Sequence, residues 1–452
     1  MSQRLSRAFT LPQLCASSWT TAAVLFLFQG CAQSAPQQPQ QSAPAAMTHT
    51  SAQSTSQDAA PAAAAASEDD WKAAESSHLV NAQQLTFAKD YVKAGEAYFD
   101  PTSQWVIFQA VARPTPGVEA DPFYAMYVGR LMRAMPESKV NVNEGTGTHF
   151  ALMDSQRISP RGSANTCGWF HPTQPGMIVM GSTLTTPKNE AKSGFQVGTR
   201  RYVWMFPEEM EVVTQRLNFM TASKGTADAP NLMFSRPKYD AECSYDKSGR
   251  FVIYTHVEES EVEAKPDGNL YIFDTKTQKH HPIVIAPGYD GGPFFSPDGK
   301  SICYRSDRKG NDLLQLFVAD LKFEKDADGT MIPVGIEREW QITNDENVNW
   351  APYWHPNGKT LVYASSAVAH TNYEVFAITL DWNKLRALPK DADAAASAAI
   401  CTPWRVTHAP GADVLPAFSP DGKWLMWTSQ RGEKIEGEAK PSSQLWIAEW
   451  RD

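Results

Sequence analysis

The side chains of this chain that could do chemistry lie mostly on loops, and one set of them recurs. Aligned without gaps back from a repeated turn, Ala94, Asn165, Asp240, Asp290, Asn349 and Asp413 fall in one column. Carboxylates and amides gathered in a ring would suit a cation or a cationic side chain. The same residue types in loops also bond neighbouring backbone N–H groups and hold turns. More individual segments run over 256–269, 306–312, 365–374 and 429–443. Variable loops on a rigid frame are where binding specificity usually resides. On or near them fall Tyr289, Arg305, Asp307, Arg308, Trp350, His370, Asn372, Tyr373, His408 and Arg431. Trp350 stands where other repeats carry Gly, so a large aromatic is expected to project there, as binding sites often use. The candidate partner-binding set is therefore Asp240, Asp290, Arg305, Asp307, Arg308, Asn349, Trp350, His370, Asn372 and Asp413. No G-x-S-x-G elbow and no other catalytic set is visible, so no catalytic residue and no cofactor is assigned.

The elements that must position these residues repeat six times. Each copy is an aromatic, a tight polar turn, then an apolar run, clearest in FFSPDGKSICY at 294–304, YWHPNGKTLVY at 353–363 and AFSPDGKWLMW at 417–427. Weaker copies begin at Tyr98, Trp169 and Ser244, and the turns recur every ~50–75 residues. Pro presets φ, Asp-Gly or Asn-Gly supplies positive φ, and aromatic and β-branched residues flank the turn, which reads as a β-hairpin. A unit of this length holds a four-stranded antiparallel sheet, and sheets arranged radially make a propeller. The fold expected is all-β, a six-bladed β-propeller.

The units resemble the propeller repeats of the TolB family, most fully in QITNDENVNWAPYWHPNGKTLVYASS at 341–366 and RVTHAPGADVLPAFSPDGKWLMWTSQRG at 405–432. The resemblance covers residues ~79–452 and is to the repeat, not to the whole of TolB. In that family the Ser-Asp-Arg of 306–308 also occurs, which implies a turn-stabilising ion pair. Some TolB-like propellers are pectin-fragment lyases holding a divalent metal with several His. That resemblance implies an alternative reading, a metal-dependent polysaccharide lyase with His256, His370 and His408 at the channel mouth. Most similar propellers are interaction platforms, which implies a non-catalytic envelope protein binding a peptide or protein, or a glycan, at the loop face.

Residues 1–31 read as an export signal: Arg4 and Arg7, a short apolar run over 21–30, then Cys31 after Gly30. The cysteine resembles a bacterial lipobox, which implies lipidation at Cys31 and a lipoprotein of the periplasm anchored at the outer membrane; ordinary cleavage near Ala32–Ala35 is the other reading. Residues 32–74, rich in Ala, Gln, Pro and Ser, are expected to form a disordered tether, because such a composition cannot bury enough apolar surface to offset ordering entropy. The propeller is expected over 75–452, as a monomer. Formal net charge is −9 without a long basic run, which argues against a nucleic-acid partner. Cys167, Cys243, Cys303 and Cys401 follow the leader, as buried thiols or with a bridge between Cys167 and Cys243.

Strand phase adds one further expectation. The folded part starts with HLVNAQQLTF at 78–87, an outer strand with no blade before it, and ends with QLWIAEW at 444–450, a third strand with no fourth after it. An open edge is a liability, so the two should pair and close the ring.

Overall fold

The computed structural model describes residues 68–134, 147–188, 194–196, 201–203, 207–221, 225–258 and 267–452. The leader with Cys31, the tether up to residue 67 and the loop 259–266 lie outside these residues. Six antiparallel four-stranded sheets form the blades. From the inside outward, blade 1 is Tyr91–Phe99, Trp105–Ala112, Ala125–Ala134 and His149–Arg157. Blade 2 is Asn165–Phe170, Met177–Ser182, Glu211–Arg216 and Asn231–Leu232. Blade 3 is Asp240–Tyr245, Phe251–Glu258, Asp267–Asp274 and Lys279–Val284. Blade 4 is Asp290–Phe295, Ser301–Ser306, Gln315–Lys325 and Met331–Gln341. Blade 5 is Asn349–Trp354, Thr360–Ala369, Asn372–Thr379 and Thr402–Arg405. Blade 6 is Asp413–Phe418, Trp424–Ser429 and Gln444–Trp450, with Leu79–Gln84 from the other end of the chain as its outer strand. Each inner strand touches the next, and the inner strand of blade 6 touches that of blade 1. The six-bladed propeller expected from the repeat is the fold found.

The repeated turn works as its chemistry suggests. Gly249, Gly299, Gly358 and Gly422 have positive φ, and in blade 1 Ser103 takes the same conformation at φ 56°. The residue before each turn ties it down: Asp246 Oδ1 accepts from Phe251 N at 2.9 Å, and Ser419 Oγ from Trp424 N at 3.0 Å. Between blades the core is apolar, with Trp427, Tyr254, Tyr304 and Phe108 among the largest fully buried side chains. All four described cysteines are free thiols, so no Cys167–Cys243 bridge forms.

The ring closes as the strand phase requires. Leu79 pairs with Trp450, Val80 with Glu449, Gln83 with Ile447 and Gln84 with Trp446. Leu85 N donates to Leu445 O at 2.8 Å, and Leu445 N donates to Thr86 Oγ1 at 2.8 Å.

The tether boundary needs correction. Residues 68–75 form a helix rather than the last part of a disordered segment. Its C-terminal residue Glu75 is buried, and Arg431 reaches it with bonds of 2.8 and 3.0 Å. Glu75 Oε1 also accepts from His408 N at 2.6 Å. The Arg431 guanidinium lies over the rings of Trp71, Trp427 and Trp446 and bonds Asp413 at 2.6 Å. A charged anchor and Trp71 supply the contacts that composition alone did not suggest. Breaking a buried pair leaves its partner charge uncompensated, although Asp413 remains here. Glu75→Ala should therefore cost about 3 kcal/mol in denaturant unfolding, and removal of residues up to Gln84 should cost more, because a strand and the seam are lost together.

Candidate functional site

The inner strands carry a second sixfold feature. Each has a bulge at the same place in its pairing with the second strand, between Gly95 and Ala97, Thr166 and Trp169, Ala241 and Ser244, Gly291 and Phe294, Trp350 and Tyr353, and Val414 and Ala417, and blade 1 has a second between Tyr91 and Lys93. In each bulge one residue has positive φ: Glu96, Cys167, Glu242, Gly292, Ala351 and Leu415. A bulge re-aims a side chain, and non-glycine residues in this region store backbone strain of about 1–3 kcal/mol each. Here the bulges turn Glu96, Cys167 and Glu242 to the axis of the ring.

Further along the inner strands, Tyr98, Trp169, Phe294 and Tyr353 converge. Trp169 and Phe294 have centroids 5.4 Å apart, Phe294 and Tyr353 5.2 Å, and Tyr98 and Trp169 5.0 Å. The equivalent residues of blades 3 and 6 are Ser244 and Ala417, small enough to leave four rings room to meet. These rings form an aromatic plug. On the side of the Pro-Asp-Gly turns lies a cavity of about 280 Å³ lined by Pro101, Pro172, Pro297, Pro356 and Pro420. On the loop side lies a cup of about 550 Å³, with Phe294 and Tyr353 in its floor. Its rim includes Lys93, Phe123, Tyr124, Pro207 and Met210.

The walls of the cup are strongly polarised. Glu242 Oε2 accepts from Arg305 Nη2 at 3.0 Å and from Gly292 N at 2.6 Å, while Oε1 accepts from Tyr289 OH at 2.5 Å. Gly292 is required beside this arginine: a Cβ there would stand 2.1 Å from Arg305 Nη1, at a φ of +58°. Among the described residues Glu96 has only neutral hydrogen-bond donors. Its Oε1 accepts from Cys167 Sγ at 2.9 Å and Tyr98 OH at 3.3 Å, and its Oε2 from Thr166 Oγ1 at 3.3 Å. Burial raises the Glu96 proton affinity above the ordinary carboxylate range, with the Glu242 charge adding to the effect and the Cys167 bond opposing it. Burial and the adjacent Glu96 hold the Cys167 thiol protonated, so it is no nucleophile. Lys93 rests 4.1 Å over the Tyr124 ring, and burial lowers its pKa.

Of the residues picked from the sequence, Arg305 and Trp350 line the cup. Trp350 is half-buried against Tyr373, at 6.5 Å between centroids, rather than projecting freely. The Asp/Asn column lies inside the blades, where it locks each inner strand to its neighbour. Asp240 Oδ1 holds His256 Nδ1 at 2.8 Å, Asp290 holds Arg308 at 3.0 Å, Asn349 Oδ1 accepts from Ser365 Oγ at 2.7 Å, and Asp413 holds Arg431. Asn165 does the same with Ser182 at 2.7 Å while bordering the cup. Arg308 also bonds Glu339 at 2.6 Å, and Asp307 Oδ1 accepts from Tyr289 N at 2.7 Å, so Ser-Asp-Arg stabilises its turn. Asn372 donates to Glu374 at 2.9 Å. The three histidines lie in separate surroundings: His256 bonds Asp240, His370 packs against the Tyr373 ring, and the backbone N–H of His408 donates to Glu75. Among the described residues no group of three His, Cys, Asp or Glu side chains could hold a metal ion.

Glu96, Glu242, Cys167, Lys93 and the plug escaped the sequence reading. The bulge residues stand two positions after the Asp/Asn column, and the plug two after that. The alignment that exposed one column contained the other two, but Glu, Cys, Glu, Gly, Ala and Leu share no chemistry that would mark a site.

Glu96 also makes a sign-defined prediction. It holds its proton more tightly in the fold than in the unfolded chain, where the value is about 4.5. Between the two values the folded state binds more protons, so this group favours the fold as pH falls toward 4.5. Thermal melts of Glu96→Gln should show a variant at least as stable as the parent at about pH 8, an advantage that disappears near the ordinary carboxylate pKa.

No family model matches the chain. It is 35% identical over 124 residues to dipeptidyl-peptidase 5 of Porphyromonas gingivalis, a match covering 26% of this chain and 16% of that protein. The chain thus spans less than a fifth of the length of that relative. Among solved structures, a protein assigned as TolB from Agrobacterium tumefaciens is 12% identical, covering 79% of this chain and 91% of that one, with a TM-score of 0.41. An oligogalacturonate lyase from Vibrio parahaemolyticus is 11% identical, covering 82% and 96%, also with a TM-score of 0.41. The architecture rests on the strand order and the closed ring of blades: this chain is a six-bladed β-propeller with TolB proteins among its structural neighbours.

Proposed function

We propose that this protein is a non-catalytic binding platform of the bacterial envelope, exported by its leader, anchored at the outer membrane through a lipid on Cys31, and presenting the loop-side cup to a peptide or protein partner. The observation that carries the reading is the cup itself. Its volume of about 550 Å³ falls in the range of ligand sites, and an aromatic floor with a few converging polar groups is what such sites use. Among the described residues its walls hold no Ser and no His, and burial keeps both thiols in it, Cys167 and Cys243, protonated, which supports binding rather than turnover. Arg305 and Trp350 remain in the proposed binding set, joined by Lys93, Glu96 and Glu242. Asp240, Asp290, Asp307, Arg308, Asn349, His370, Asn372 and Asp413 support the walls through the blades and turns. The metal-dependent lyase would need His256, His370 and His408 together, and among the described residues no group of three His, Cys, Asp or Glu side chains could hold a metal ion.

The test is capture from envelope extracts with the full-length protein as bait. Lys93→Glu with Trp350→Ala should reduce recovery of the partner at least about ten-fold, roughly 1.4 kcal/mol. Lys247→Glu, on the turn face, should leave recovery unchanged. Equal recovery by the cup variant would show that the partner uses another face. For the anchor, Cys31→Ser should move the protein to the soluble periplasmic fraction with its melting temperature intact; a mature N-terminus without lipid in mass spectrometry would refute the attachment.

A further inference from the structure

The charged walls of the cup are unevenly satisfied. The buried carboxylates that lock the blades face a charged or chargeable partner: Asp290 faces Arg308, Asp413 faces Arg431, Glu374 faces Arg405, and Asp240 faces His256. In the cup Glu242 has Arg305. Glu96 is only 8% exposed, yet its three hydrogen-bond partners are a thiol and two hydroxyls, and the Arg305 charge reaches it only from beyond ion-pair distance. An ionised carboxylate out of water strongly favours a cation beside it. Its surroundings suit one particular kind. Tyr98 and Tyr124 line the same cup, and a compact ammonium gains from a carboxylate and from nearby rings together. Both Glu96 oxygens already accept bonds, from different sides, which leaves no clear bidentate edge for a planar guanidinium. The strand adds an orientation. Lys93 lies three residues earlier on the same inner strand, at the rim, and its ammonium rests on Tyr124 with no carboxylate of the described residues within ion-pair distance. Three residues of strand span about 10 Å, so the cup offers a negative group deep and a positive group shallow, separated by the length of a short peptide. The strained backbone at Glu96, φ 41°, holds the carboxylate inward.

We propose that Glu96 anchors a primary-ammonium subsite at the bottom of the cup, with Lys93 at the rim receiving a carbonyl or carboxylate of the same ligand. The ligand is a short or terminal peptide segment, and its ammonium is either the amino terminus or a lysine side chain. This rests on the reading of the cup as a peptide site and specifies which group of the peptide enters first.

Isothermal titration of the full-length protein in detergent, at about pH 7.5, with three tripeptides decides the matter. The probes are Ala-Ala-Ala, N-acetyl-Ala-Ala-Ala and N-acetyl-Ala-Lys-Ala. One of the two amine-bearing peptides should bind at least ten-fold more tightly than N-acetyl-Ala-Ala-Ala, and which one does so identifies the source of the ammonium. Glu96→Gln should abolish that preference, and Lys93→Met should weaken the preferred peptide while keeping its advantage over the acetylated one. Equal affinities for all three peptides, no binding of any at about 10 mM, or a preference that survives Glu96→Gln would each overturn the subsite. The comparison among peptides on the parent protein needs no variant, so a poorly folded Glu96→Gln would not blunt it. Equal affinities that nevertheless vanish in Trp350→Ala would leave the cup as a peptide site and remove only the ammonium anchor.

Discussion

The whole molecule depends on one backbone pairing, between the strand Leu79–Gln84 and the strand Gln444–Trp450. Both strands carry backbone donors and acceptors that cannot stay unpaired at a sheet edge without inviting other chains. Pairing them completes blade 6 with material from both ends of the chain. The consequence reaches the axis, since the loop-side cup takes wall residues from every blade. Glu96 of blade 1 and Leu415 of blade 6 face one cavity only because the ring is closed. The buried Glu75–Arg431 anchor reinforces the seam, with the guanidinium packed over three tryptophans.

Charge is used in two ways within one scaffold. At the start of the inner strands it is spent on structure, with Asp, Asn, Ser and Arg satisfying each other across a pair of strands. Such buried groups are costly unless paired, and here they are paired. Two residues further in, the bulges present side chains to the cavity, and pairing becomes incomplete. Glu242 is held from three sides, whereas Glu96 makes bonds only to neutral groups. Departures from full satisfaction and from relaxed backbone angles tend to concentrate at functional sites. In this protein a buried carboxylate bonded only by neutral groups and a strained backbone angle meet at Glu96.

The aromatic plug gives the propeller two faces with different chemistry. The turn side is ringed by prolines and apolar rings, and the loop side by tyrosines, carboxylates and an arginine. A continuous water-filled channel would screen charges in the cup. A floor of packed rings lowers the local dielectric and strengthens each electrostatic contact above it. Ser244 and Ala417 matter as much as the four rings, because two more aromatics in those positions could not be accommodated around one axis.

The hairpin turns, the blade count and the closing strand were legible in the sequence because each depends on local order: a Pro-Asp-Gly signal, alternation along a strand, and the phase in which the repeats begin and end. Trp350 was legible as an exception within a repeated frame, and Arg305 as a residue beside a variable loop. The rest of the site was decided by tertiary structure. Alternation along an inner strand assigns a side chain to one face or the other, but one extra residue in a bulge reverses that assignment, and the bulge shows itself only in the register against the next strand. The Asp/Asn column, promising as a binding ring, turns inward to the blades because its Ser and His partners on the adjacent strand, and its Arg partners just beyond that strand, lie within hydrogen-bond reach. Glu96, Cys167 and Glu242 become neighbours across the axis although they are distant along the chain. Sequence alone thus determined the propeller and its closure, while the closed ring and its six bulges decided which side chains meet at its centre, because that meeting depends on long-range geometry and not on any local pattern.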